Sequence, residues 1–163
     1  MSEESTHRAL NTNQEVPFVG CEGWSVPAPY AEHFPASGSH LERHAERFSG
    51  VEINSSFYRP HRPQTYAKWA GMVPQDFRFA VKVPKIITHE RRLKNVGEPL
   101  DRFLNEAGEL GNKLGPLLVQ LPPSLAFDEV VAGEFFSLLR QSFAGQVVCE
   151  PRHASWFVTG ADC

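Results

Sequence analysis

The chain has 163 residues, 41% of them hydrophobic and 21% charged, which suits one soluble domain able to bury a core. A formal net charge of −3 argues against general nucleic-acid or membrane-surface binding, and no apolar run approaches the roughly 20 residues that span a bilayer. Cys21, Cys149 and Cys163 are scattered with no Cys-x-x-Cys pair, so they are expected to be reduced thiols in a cytoplasmic protein, forming neither a disulfide frame nor a zinc site.

Residues 1–15 are polar and lack the apolar stretch of a signal peptide; they read as a disordered lead-in to one domain over residues 16–163. Residues 16–20 form a short apolar run ending in glycine, the first expected strand. A loop rich in Gly and Pro follows. Ser39 and Glu42 have the spacing of a capping box, and Leu41, Ala45 and Phe48 mark one helical face behind it. Residues 51–54 are the second expected strand. Pro63 suits a first helical turn, and Tyr66, Trp69, Ala70 and Val73 continue at helical spacing. Residues 77–82 are the third strand. Pro99 opens a helix striped by Leu100, Phe103, Leu104, Ala107 and Leu110. Gly115 and Pro116 lead into a fourth strand over residues 117–121. Asp128 is placed to cap a helix carrying Val131, Phe135, Leu138 and Leu139, and residues 146–150 are the fifth strand.

One strand and one helix recur about every 30 residues, the size of a β-helix-β crossover. Regular alternation predicts an α/β fold with parallel strands and helices outside, here the first five β/α units of a (β/α)8 TIM barrel. A doubly wound sheet is the alternative. Its Gly-x-Gly-x-x-Gly turn is missing after the first strand, where Gly20 and Gly23 sit in a loop too long for it. Alternation along each strand then sorts the faces. Val51, Ile53, Phe77, Phe79 and Val81 should pack on the helices. Glu52, Asn54, Arg78, Ala80, Lys82, Leu118, Gln120, Val148 and Glu150 should point into the barrel. Strands two to five thus end on inward polar side chains, at the rim where barrel enzymes place their chemistry.

Five short blocks carry a family resemblance: Gly20-Cys21-Glu22-Gly23-Trp24; Glu52-Ile53-Asn54-Ser55-Ser56-Phe57-Tyr58; Phe79 through Lys82 with Pro84, then Thr88-His89; Leu114-Gly115-Pro116 with Gln120-Leu121-Pro122-Pro123; and Glu150, Arg152-His153 and Ser155-Trp156. Together and in this order they resemble the YecE-like family, known as domain of unknown function 72. The resemblance implies a (β/α)8 barrel with its site at the strand ends, and no particular reaction. Glu22 departs from the small polar residue usual there. The family also continues through further strands beyond the position of Cys163.

The candidate catalytic residues are Glu52, Lys82, Glu150, His89 and His153. Glu52 and Glu150 suit a general acid/base pair, since carboxylates in different surroundings hold different pKa values; equally they suit ion pairs with Lys82 or Arg152. Lys82 can bind an anionic group, lower a neighbouring carboxylate's pKa, form a Schiff base, or act as a structural counter-ion. His89 and His153 can shuttle protons, or join Glu52 and Glu150 as ligands of a divalent metal such as magnesium, manganese or zinc; otherwise they are loop histidines bonded to backbone. The candidate substrate-binding residues are Trp24, Asn54, Tyr58, Gln120, Arg152 and Trp156. Asn54 and Gln120 can hydrogen-bond a ligand or be satisfied core amides. Arg152 can fork onto a carboxylate or phosphate, and the aromatics can stack on a sugar or base or simply pack the loops. The basic run from His89 to Lys94 suits a solvated loop better than a phosphate clamp.

The expected activity is acid/base or metal-assisted chemistry on a small polar substrate, phosphorylated or sugar-like. The alternatives are a non-catalytic binding barrel for a nucleotide or anionic metabolite, and a nuclease-like metal-dependent hydrolase, which would need a basic face. With five strands where eight close a barrel, the chain is also expected to be a fragment or degraded form that self-associates through open sheet edges.

Overall fold

Strand-forming and helix-forming stretches alternate along the chain as their spacing predicts. The computed structural model describes residues 17–158; the expected lead-in, and Val16, lie outside them. Strands β1 (Gly20–Glu22), β2 (Gly50–Ile53), β3 (Arg78–Lys82), β4 (Leu114–Gln120) and β5 (Val147–Glu150) lie side by side in chain order, every neighbouring pair parallel. The helices between them are α1 (His40–Ala45), α2 (Ser55–Tyr58), α3 (Pro63–Gly71), α4 (Gly97–Gly108) and α5 (Glu129–Ser142). This is the β/α-barrel order, left open: among the described residues β1 and β5 are the edges of the sheet. The order never reverses, as a doubly wound sheet must at its switch point.

Local chemistry sets the helix starts. The Ser39 hydroxyl accepts the Glu42 N–H at 3.3 Å while the Glu42 carboxylate accepts the Ser39 N–H at 2.8 Å, the reciprocal pair that opens α1. Pro63 begins α3, and the Asp128 carboxylate accepts the Val131 N–H at the start of α5. Helix α4 starts at Gly97, two residues ahead of the proline expected to open it; Pro99 still lies in the first turn, where its missing N–H costs nothing.

The core lies on the helix-facing side of the sheet. Val51, Ile53, Phe79, Val81, Leu117 and Val119 are all buried there, against Tyr66, Leu100, Phe103, Phe135 and Leu139. Each such side chain contributes about 1.5–3 kcal/mol when fully buried. The opposite, concave face is wet: Val148 is 50% exposed, and Phe18 and Val19 at the entry to β1 are 58% and 57% exposed. A concavity of about 590 Å3 opens there, between Phe18, Glu52, Arg78 and Gln146.

Two strands differ from expectation by more than one residue, each for a steric reason. The first strand begins at Gly20 among the described residues, where the sequence suggested an end. A Cβ on Gly20 would stand 2.1 Å from the Gly50 carbonyl oxygen, so only glycine lets β1 approach β2, and pairing runs from there to Glu22. Strand β4 begins at Leu114, three residues early. Phe79 pairs with Leu114 and Val81 with Leu117, so β4 carries one extra residue, a bulge that accommodates Pro116 without a ladder N–H. Beyond the bulge Leu117 and Val119 face the helices, which sets Leu118 and Gln120 on the concave face.

Candidate functional site

Register gathers the polar strand ends. Glu22 lies opposite Glu52, Lys82 opposite Leu118, and Gln120 opposite Glu150. All share the concave face, because residues two apart point the same way and in-register partners match. Asn54 was expected to finish the second strand. It follows β2 with helical backbone and opens α2, and its amide donates to Glu22. The first turn of α2 is tied to β3 by the Ser56 hydroxyl, 2.6 Å from the Lys82 carbonyl. That tie sets the Phe57 ring under the Lys82 amine, 4.9 Å away. The His89 ring meets the edge of Phe57 at 4.8 Å and its Nδ1 lies 2.8 Å from the Thr88 hydroxyl.

Glu150 is the best-held member. The Gln120 amide donates to both of its oxygens, at 3.2 and 3.0 Å, and Arg152 donates to one of them at 3.0 Å. Those Gln120 bonds, with Arg152 and the charge of Lys82, hold the Glu150 carboxyl below its ordinary range against a smaller burial cost. Glu52 is driven the other way. Burial raises it, the carboxylates of Glu22 and Glu150 add to the rise, and Lys82 opposes without cancelling it. His89 is pushed down by burial and then by Lys82 and Arg152. Lys82, only 8% exposed, forms no ion pair within 4.0 Å among the described residues. The Asn54 amide oxygen is buried without a partner.

Glu52, Lys82, Glu150, Asn54, Gln120, Arg152 and His89 therefore belong to one neighbourhood. His153 is turned to local structure: its Nδ1 accepts the Ser155 N–H at 3.1 Å and caps the turn Ala154–Phe157. Trp24 packs edge-on against Trp69 at 5.0 Å. Trp156 donates to the Leu125 carbonyl at 2.8 Å, and Tyr58 is largely exposed. Among the described residues no three His, Cys, Asp or Glu side chains, those of Glu52, Glu150, His89 and His153 included, lie grouped to hold an ion. Sequence reasoning missed Phe57, hidden by the unexpected turn of α2, and Glu22. A first strand carried to residue 22 would have put Glu22 on the inner face by parity alone.

The Glu52 shift has a consequence for stability. Its folded-state pKa lies above its unfolded value, so stability present at low pH is lost as pH rises from about 4.3, the unfolded value, through the folded one. Glu52→Gln removes that loss. Urea unfolding should show the variant gaining on the wild type between about pH 4 and pH 7; a constant difference across that range would contradict the shift.

Among the described residues no helix is long and apolar enough to cross a membrane. The chain is 28% identical over 146 residues to the UPF0759 protein YecE of Escherichia coli K12, covering 89% of this chain and 52% of that protein. It is 27% identical over 148 residues to the UPF0759 protein YunF of Bacillus subtilis 168, again 52% of that protein. It thus spans about half the length of the curated relatives it matches. Among solved structures, a DUF72 family protein of Thermotoga maritima MSB8 superposes with a TM-score of 0.69 at 25% identity, over 88% of this chain and 58% of that one. A DUF72 family protein of Enterococcus faecalis V583 does so with 0.69 at 23% identity, over 86% and 52%. The family model described as protein of unknown function DUF72 matches residues 18–162, and the chain belongs to that family.

Proposed function

We propose that the strand-end cluster is an acid/base site for a small polar substrate bearing an anionic group, phosphorylated or sugar-like. The observation behind this reading is that two carboxyls beside one lysine, Glu52 and Glu150, are driven in opposite directions by their surroundings. A carboxyl that keeps its proton donates, and one that stays ionised accepts or stabilises positive charge. Gln120 and Arg152 orient Glu150. Lys82 offers a cation not already neutralised by an ion pair. The exposed thiol of Cys21 fits the reducing cytoplasm. The unpaired outer edges of β1 and β5 support self-association of this chain by strand pairing.

A thermal-shift screen of sugar phosphates and small hydroxy acids tests the reading, with turnover of each hit followed by NMR. A ligand at 100 times its Kd stabilises by about 2.7 kcal/mol. A hit converted to product by the wild type but not by Glu150→Gln supports acid/base chemistry. A hit bound without product supports the binding barrel instead, and no hit across the panel removes the substrate class.

A further inference from the structure

A second concavity, of about 390 Å3, lies on the same rim where the segments after β3, β4 and β5 meet. Its floor is apolar: Leu93, Leu125 and Ala132 are buried there. Phe127 and Trp156, in edge contact at 4.9 Å, form one wall. Its lip is cationic. Arg91, Arg92 and Lys94 border it, and among the described residues none of the three is ion-paired with a carboxylate. The acid in the lining, Asp128, has one carboxylate oxygen engaged at the start of α5.

A basic surface run is ordinarily a solvated loop. This one is held in a form that solvation does not require. Arg92, Leu93 and Asn95 all have left-handed backbone, with φ of 51°, 70° and 53°, which costs Arg92 and Leu93 about 1–2 kcal/mol each. The surrounding contacts enforce it. Arg92 donates to the Ser124 carbonyl at 2.7 Å and hydroxyl at 3.1 Å, and Arg91 donates to the Asn95 carbonyl at 2.7 Å. Leu93 is anchored in the core. The preceding residues, Ile86–Glu90, form a π-helical turn closed by the Arg91 N–H on the Ile86 carbonyl at 2.9 Å. Strained backbone and π turns of this kind cluster at ligand sites. The Lys94 amine and the remaining N–H groups of Arg91 have no protein acceptor among the described residues.

We propose that this concavity binds an organic anion with a flat apolar body. The anionic group sits on Arg91 and Lys94, and the body lies over Leu125 against Phe127 and Trp156. Inorganic phosphate would leave the apolar floor uncovered, and a neutral aromatic would leave the cations unused. Glu52, Lys82 and Glu150 do not border the concavity, so it stands apart from the acid/base cluster.

Calorimetric titration with phenyl phosphate, beside inorganic phosphate and benzyl alcohol, tests this. Phenyl phosphate should bind more tightly than either and more weakly as salt rises. The double variant Arg91→Gln, Lys94→Gln should weaken it about tenfold or more, which is about 1.4 kcal/mol. Both side chains are exposed, and an unchanged melting curve would establish that the variant folds. Lys82→Met, which removes the cation of the acid/base cluster, should leave phenyl phosphate affinity as it was. Affinity indifferent to the double variant, equal for phenyl and inorganic phosphate, or lost in Lys82→Met would each overturn the proposal, the last by placing the ligand in the acid/base cluster.

Discussion

Phe79→Ala is expected to destabilise the chain by roughly 3–5 kcal/mol, a large part of the 5–15 kcal/mol that holds an ordinary domain together. Phe79 is fully buried in β3, the middle strand of the sheet, with its ring 5.2 Å from that of Phe77. Its removal empties space that β2, β3 and their helices cannot close without breaking strand register, so the cavity persists. Val148→Ala, at a half-exposed position on the concave face, should change stability by less than about 0.5 kcal/mol. Urea unfolding of the pair separates the faces. Similar losses at both positions would mean that the concave face is packed in solution, by self-association or otherwise.

Lys82→Met should weaken binding of any anionic ligand found for the acid/base cluster by roughly 10- to 100-fold, since a hydrogen bond to a charged group is worth about 1.5–3 kcal/mol. Methionine keeps the buried stem against Phe57 and leaves no charge behind, so the fold should survive. Calorimetry with the ligand identified by thermal shift reads the change. Wild-type affinity in Lys82→Met would remove lysine from the ligand's contacts and leave it a counter-ion to Glu52 and Glu150.

The sheet and its faces were legible because burial on one side forces period-two patterning, and Phe77, Phe79 and Val81 in one row with Ala80 and Lys82 in the other leave little choice of parity. Helix starts were legible where a side chain does the capping, as at Ser39 and Asp128. What escaped depends on contacts between distant segments. Gly20 begins a strand because the Gly50 carbonyl lies against it, and Pro116 sits within β4 because a bulge spares its ladder bond; neither neighbour can be seen from the local run. The site divided along the same line. Parity placed Glu52, Lys82, Gln120 and Glu150 together, since each sits on a strand. Residues beyond strand ends have no parity to fix them, so Phe57 was missed, and His153, left open between chemistry and a loop histidine bonded to backbone, caps its own turn.

The opposed behaviour of Glu52 and Glu150 can be measured on the residues themselves. Carboxyl-carbon NMR titration of the 13C-labelled chain, assigned with Glu52→Gln and Glu150→Gln, gives each pKa directly. Glu52 should titrate above the ordinary glutamate value of about 4.3 and Glu150 below it, and Lys82→Met should raise both, because its charge favours ionisation of each. Two carboxyls titrating together at the ordinary value, unmoved by Lys82→Met, would mean that these side chains share no site.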